Sequence, residues 1–339
     1  MSASLFRGLF FAAIFALLFC ALAAPLVAQE KKKKDAGPVN VPASIEKGVA
    51  WLIEYQSPDG TWNSRKHRPE VAGSTALGAY TLLKCGVPSR HPAVQKALAF
   101  VRSHLKDRTY EVGLALMLYA SLPEADRPQA EINRLGKFLV AHLTEKGWGY
   151  PGAHNGQNLK QTDLSNSQYA ALGLQAAQKC GCEVPVLAWR TLAQYVLALQ
   201  GRYGSFRYRP GSTPSSSMCV AGTATLIICR EKLKRIKGLR GLRNQIRGAL
   251  SRAEGWFRKN WYLEQNRKYG KKVEDEKRWT YYYLYGLERV GSFHEVDIYA
   301  GKDWYGEGSR IIVSRQSRAG PGLLTTARFG RTPALLCSF

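Results

Sequence analysis

The sequence predicts an all-α fold built from tandem helical hairpins. Apolar residues recur at helical spacing, no stretch sustains the alternation of a half-buried strand, and one hairpin unit repeats along the chain. The repeat shows in "LLKCGVPSRHPAV" from Leu82 and "AAQKCGCEVPVLAW" from Ala176, which share Lys-Cys-Gly, Val-Pro and then an apolar helix start. The unit is roughly 45–55 residues long, near the periods of helical repeat proteins. Each unit is a helix with bulky apolar residues, a Gly-aromatic turn and a second helix rich in small residues.

The N-terminus precedes the repeats. Arg7 and the apolar run Leu9 to Leu22, followed by small residues, read as a signal peptide over 1–28, with cleavage after Ala28. An uncleaved membrane anchor is the alternative. Export to the periplasm or the extracellular space is therefore expected. Residues 29–43, with Lys31 to Lys34, read as a basic flexible linker.

The repeats then occupy 44–316. The first pairs a helix from Ile45 with "GSTALGAYTLLKCG", across "QSPDGTW". Ile45, Val49, Leu52 and Ile53 are expected to form its buried face. The second joins "VQKALAFVRSHL" to "YEVGLALMLYASL", and the third joins "INRLGKFLVAHLTEKGWGY" to "SNSQYAALGLQAAQKCG". The fourth pairs "WRTLAQYVLALQGRYGSFRY" with "SMCVAGTATLIICREKL", and the fifth pairs "ALSRAEGWFRKNWYLEQ" with "RWTYYYLYGLERVG". A sixth opens with "WYGEGSRIIVSRQ" and is truncated. Glycine costs about 1 kcal/mol against alanine inside a helix. Its recurrence in the second helices predicts an inner layer where backbones crowd.

Pro58-Asp59-Gly60 is turn chemistry that stops the first helix. Gln56 is expected to pair with exposed backbone groups at the helix end. Trp62 is expected to seal the turn against the next repeat. Gly147 with Trp148, and Gln200 with Gly204 and Phe206, recur at equivalent places.

The segment "QSPDGTW" and its echoes resemble the QW motif of squalene cyclases and of the related prenyltransferase and squalene oxidase repeats. The resemblance implies an αα-toroid, in which inner and outer helices alternate around a central cavity. Terpenoid cyclases, the β-subunits of protein prenyltransferases and complement-like thioester domains share that ring. Class II terpene cyclases carry D-x-D-D at the start of an inner helix, where a carboxylic acid protonates an alkene. In "TDLSNSQYAALGL" Asp163 matches the first acid, but Ser165 and Asn166 stand where the other two belong, and neither delivers a strongly acidic proton. Helix capping is the competing role for Asp163 and Ser165. Prenyltransferases hold zinc with Asp, Cys and His, and no matching set occurs, so no metal and no cofactor are expected. "KCGCEVP" lacks the glutamine and the spacing of a thioester.

Two catalytic candidates remain: Asp163, and Glu111 at the start of another inner helix. Trp279, Tyr281, Tyr282 and Tyr285, with Asn166, are candidates to line the cavity. Tyr281 and Tyr285 lie four apart and so share a helix face. Aromatic walls suit an apolar, isoprenoid-like or cationic small molecule. The leading expectation is a binding or scaffold toroid; the alternative is a cyclase or prenyltransferase-type enzyme with a non-standard acid.

The net charge is +24 with a pI near 9.9, which favours anionic partners. "REKLKRIKGLRGLRNQIRGALSR" carries an apolar stripe of Ile236, Leu239, Leu242 and Ile246 opposite its basic residues, and reads as a solvated outer helix or one that docks on anionic lipid or cell-wall polymer. Nucleic acid is disfavoured, because no aromatics interleave the charges. Export permits disulfides, but most of the cysteines lie in apolar helical patterns, where a buried free thiol is the expected state. Residues 317–339 lose the repeat and read as a frameshifted tail. In a shifted frame Ala319 to Gly322 can encode Gly-Thr-Trp, and Thr332 to Phe339 a small-residue run. Resequencing the gene tests this, and an unshifted read overturns it.

Overall fold

Asn40 starts the first helix: its side chain accepts the Ala43 N–H at 3.0 Å, with Pro42 in the first turn. The helix thus begins at Val41, inside the expected linker. The computed structural model describes residues 40–62, 71–150, 162–270, 272–276 and 279–316. The expected leader, most of the linker and the tail lie outside these residues.

The helices run α1 (Val41–Glu54), α2 (Val71–Lys84), α3 (Pro92–His104), α4 (Thr109–Ala120), α5 (Gln129–Ala141), α6 (Leu164–Lys179), α7 (Val186–Ala198), α8 (Ser216–Leu233), α9 (Arg240–Asn260), α10 (Thr280–His294) and α11 (Trp304–Arg315). Burial sorts them into two layers. The even-numbered helices are enclosed nearly all round: every residue of α4 from Thr109 to Tyr119 is buried, as is every residue of α8 from Ser216 to Cys229. The odd-numbered helices bury one stripe only, such as Ile132, Leu135, Gly136 and Leu139 on α5. The inner helices pack in the order α2, α4, α6, α8, α10. In the outer layer α11 returns to α1, where Gln316 donates to the Ser44 carbonyl at 3.0 Å and accepts from the Ser44 hydroxyl at 2.5 Å. The architecture is an αα-toroid. Two short hairpins, Asn266–Tyr269 with Val273–Glu276 and Ile298–Tyr299 with Lys302–Asp303, are the strand pairs among the described residues.

The QW residues divide their labour differently from the expectation. Gln56 Nε2 donates to Gly60 O at 2.9 Å and to Ala93 O, in the first turn of the next outer helix, at 2.7 Å. Gln200 does the same to Gly204 O at 3.3 Å and Ala249 O at 2.8 Å. The glutamine therefore ties repeat to repeat. Trp62 instead closes its own hairpin: Nε1 donates to Leu52 O at 2.6 Å, and the ring lies on Gly78 of α2, where a Cβ would come within 2.5 Å of it. Trp148 on Leu139 O, at 2.8 Å, repeats the intra-hairpin bond; Trp304 on Val296 O, at 2.8 Å, instead ties the start of α11 to the connection that follows α10. The reason is geometric, since an indole at the turn is within reach of the helix it has just left. The backbone crowding predicted for the inner helices is present where α4 meets α6, since a Cβ on Gly113 would lie 2.5 Å from Tyr169 O and one on Gly173 2.7 Å from Gly113 Cα; at Gly222, as at Gly78, the neighbour is an aromatic ring, here Phe206.

Two other expectations are corrected in part. On α1, Leu52 is buried and Ile45 and Val49 pack half-buried against the core as expected, but Ile53 is exposed and Ser44, Gly48 and Trp51 complete the buried face. Small residues let the helix approach the inner layer, and Trp51 takes the place expected of Ile53. The basic segment is not one amphipathic helix. α8 ends at Leu233 and α9 starts at Arg240, so Ile236 and Leu239 pack from the connection, and only Leu242 and Ile246 lie on α9.

Candidate functional site

The ring interior is built from side chains that reach past their neighbours. Tyr282 on α10 donates to Gln168 Oε1 at 2.7 Å, and its hydroxyl is hydrogen-bonded to Ser165 Oγ at 3.1 Å, both on α6. In the inner layer α8 stands between these two helices, so the bonds cross the centre of the ring. Tyr169 of α6 stacks on Tyr110 of α4 with ring centroids 4.0 Å apart, and its ring lies 6.4 Å from Tyr282 and 6.5 Å from Tyr285. Helices α4, α6 and α10 thus meet in one buried cluster of phenols. Burial pushes the hydroxyls of Tyr110, Tyr169, Tyr282 and Tyr285 up, so they stay neutral at physiological pH.

The candidate aromatic face is redistributed. Tyr282 and Tyr285, three apart, face the interior. Tyr281 points outward towards Arg315, whose charge and hydrogen bond partly offset the upward push of burial on its hydroxyl. Trp279 is half-buried at the N-cap of α10. A spacing of four places Tyr281 and Tyr285 on one side of the helix, but the spacing alone does not say that this side faces inward.

Asp163 is fully buried as the N-cap of α6. One carboxylate oxygen accepts the Asn166 backbone N–H at 2.8 Å, and the other accepts the Asn166 side-chain amide at 2.9 Å. Arg209 stands 3.8 Å from the second oxygen. Burial raises its pKa; the bonds from Asn166 and Tyr208 and the charge of Arg209 oppose the rise. Asn166 is thereby turned to the cap, and Ser165 is engaged by Tyr282. Glu111 is buried in the first turn of α4, with its Cγ 3.1 Å from where a Cβ on Gly73 would sit. It lies between α2 and α4.

Tyr80, Tyr110, Tyr169, Gln168 and the pair Glu288–Arg289 were not singled out from the sequence. The clue available was a tyrosine in each of three inner-helix segments, "ALGAY", "TYEVG" and "NSQYAALG". Glu288 is fully buried; it is paired with Arg289 and accepts from Ser292 at 2.6 Å. Arg289→Met would leave that carboxylate without its cation, and breaking a buried pair costs about 3–5 kcal/mol. Denaturant unfolding of the variant checks this, and the double change with Glu288→Gln is expected to recover part of the loss.

Among the described residues, no group of three His, Cys, Asp or Glu side chains gathers as a metal site. Cys182, Cys219 and Cys229 are buried free thiols, while Cys85 and Cys180 are free and half-buried.

The two-layered ring and its polar-capped, phenol-filled interior define a terpenoid-cyclase-like αα-toroid. Solved structures of the type II terpene cyclase MstE from Scytonema have this fold. One, in complex with merosterolic acid A (product), aligns with a TM-score of 0.50 at 12% identity, covering 85% of this chain and 86% of that one. Another, in complex with geranylgeranyl dihydroxybenzoate (substrate), has a TM-score of 0.50 at 13% identity, covering 85% and 88%. No family model matches the chain, and no curated protein matches it.

Proposed function

We propose that this protein is a toroid of the prenyltransferase and squalene oxidase repeat type that holds an apolar, isoprenoid-class molecule against its tyrosine-lined interior. The observation that carries the reading is the phenol cluster shared by α4, α6 and α10. Its rings are packed on one another and almost wholly buried, so a ligand enters only as they part; the π-faces and neutral hydroxyls then suit a polyene or a cationic centre. The isoprenoid-derived molecules bound by MstE support the ligand class. Ser165 and Asn166 stand at the acid-bearing positions of the motif and are both engaged in hydrogen bonds, which favours binding over alkene protonation, whereas the fold likeness to a terpene cyclase favours the catalytic reading below.

A second reading, cyclase-type catalysis with Asp163 as the acid, is favoured by the complete burial of that carboxyl. Asp163→Asn separates the two. Asparagine still caps a helix, so binding of geranylgeranyl dihydroxybenzoate is expected within threefold of wild type. If Asp163 is the acid, turnover of that probe by the wild type disappears in the variant. Detectable cyclisation by the wild type that the variant lacks overturns the binding reading.

The same variant carries a pH signature. The folded pKa of Asp163 lies above the ordinary 3.8. Between those two values the native chain binds more protons than the unfolded one. The contribution of Asp163 to stability is therefore greatest at acid pH and falls as pH rises from 3.8 through the folded value. Denaturation curves of wild type and variant are expected to diverge with that sign.

Export, with anionic lipid or cell-wall polymer as the partner of the basic outer surface, belongs to this proposal. Fractionation of cells expressing the full chain tests it, and exclusively cytosolic protein overturns it.

A further inference from the structure

The polar cap of α6 holds a donor and an acceptor that the fold itself does not use. Arg209 lies in the connection between α7 and α8, and its own turn fixes it beside Asp163. The Arg209 N–H donates to Ser212 Oγ at 3.0 Å, and Ser212 Oγ donates to the Arg209 carbonyl at 2.9 Å. The Leu164 N–H, at the start of α6, donates to Tyr208 O at 3.0 Å. The guanidinium stands 5.0 Å from the Tyr208 ring. Even so held, Arg209 Nη2 remains 3.8 Å from Asp163 Oδ2. That is too long for a hydrogen bond, yet short enough for one oxygen atom to lie within hydrogen-bond distance of both. Arg209 Nε, in the same planar group, is buried and has no hydrogen-bond partner among the described residues.

Asn166 carries the matching acceptor. It is fully buried, and its Nδ2 donates to the same Asp163 oxygen at 2.9 Å. Its Oδ1 is therefore turned away from the carboxylate, and it too has no hydrogen-bond partner among the described residues. A carboxylate accepts about four hydrogen bonds. Asn166 supplies two of them to Asp163 and Tyr208 a third, so Asp163 can accept one more. Buried donors and acceptors are costly to leave unpaired, and native proteins keep few of them. Around one buried carboxylate there is thus one unused donor and two unused places to accept.

We propose that this cap is the head-group subsite of the ring and that it takes a hydroxyl, whose oxygen accepts from Arg209 while its O–H donates to Asp163 or Asn166. The inference rests on the isoprenoid-binding reading given above and narrows it to an isoprenoid alcohol. A hydroxyl is the small group that both donates and accepts. An ether or a carbonyl would serve Arg209 alone, and a carboxylate would set a second negative charge beside Asp163. Ser165, the neighbour of Asn166, is hydrogen-bonded to Tyr282 at 3.1 Å. A head at the cap therefore leads its tail straight to the phenol cluster. Arg209 is half-buried whereas Asp163 is enclosed, which puts the head on the solvent side of the cap. Asp163→Asn leaves Arg209 in place, so that variant still holds the alcohol.

Competition native mass spectrometry of the full chain tests this, with geranylgeraniol set against the same hydrocarbon chain lacking the oxygen. The readout is the ratio of the two adducts, so a general loss of affinity cancels. In Arg209→Met the ratio of alcohol to hydrocarbon is expected to fall about tenfold from wild type, the scale of one lost hydrogen bond to a charged group. In Arg202→Met it is expected to stay unchanged; that arginine is exposed and lies 5.5 Å from the ring of its neighbour Tyr203. Should Arg209→Met fail to fold, Arg209→Lys keeps the charge beside Asp163 without the flat donor edge, and is expected to lower the ratio about threefold. A preference for the alcohol that survives the loss of Arg209 overturns the proposal. Preferential binding of geranylgeranoic acid over the alcohol would assign a carboxylate head and overturns it too. Both molecules bound in a ratio that no variant moves would remove the head-group subsite and leave the ring reading standing. No adduct with either molecule would remove the ring reading and the subsite with it.

Discussion

Gly204→Ala is expected to destabilise the protein by at least about 3 kcal/mol, combining a left-handed backbone penalty with an overpacked contact. Gly204 has φ +94°, and a Cβ there would fall 2.1 Å from the Arg252 carbonyl oxygen of α9. The turn must press directly on the next outer helix for Gln200 to reach Ala249. Gly211 supplies the control, with φ +80° and open space around it. Gly211→Ala pays only the conformational part. Chemical denaturation of the two variants therefore separates backbone strain from close approach. Equal losses would show that the clasp between repeats is not the constraint.

Trp148→Ala is the second large effect. The indole is buried and bonded to Leu139 O. Its removal opens a cavity between α5 and α6 and strands that carbonyl; Trp→Ala changes of this kind cost about 3–5 kcal/mol. Trp148→Phe refills much of the space but restores no donor, so it is expected to lose less. A fall in thermal midpoint confined to Trp148→Ala would assign the effect to packing; similar falls in both would assign it to the hydrogen bond.

The architecture was legible because a repeat states one physical problem several times. Helical periodicity gave the hairpins, and the glycines of "STALGAY" and "VAGTAT" marked the layer where indole and phenyl rings must lie on backbone. The roles of Gln56 and Trp62 were harder to read. Both end a helix, and only the path of the chain shows that the amide reaches forward to Ala93 while the indole reaches back to Leu52. The split of the basic segment was hidden for a similar reason: the stripe from Ile236 to Ile246 holds its spacing across a turn at Gly238.

Less of the site was legible. "TDLSN" announced a cap by its residue types, and Asp163 is that cap. The interior cluster joins α4, α6 and α10, whose tyrosines are far apart in sequence, so no local spacing could assemble Tyr110, Tyr169, Tyr282 and Tyr285. Tyr281 illustrates the limit of a single helix: its spacing to Tyr285 is regular, yet the neighbouring α11 draws it outward to Arg315.

Native mass spectrometry with geranylgeraniol tests the central claim most directly. The wild type and Asp163→Asn are expected to retain one molecule per chain, and Tyr282→Ala, folded by circular dichroism, is expected to lose it. No adduct with the wild type, or an adduct untouched by the loss of Tyr282, would contradict an isoprenoid-class ligand seated in the ring.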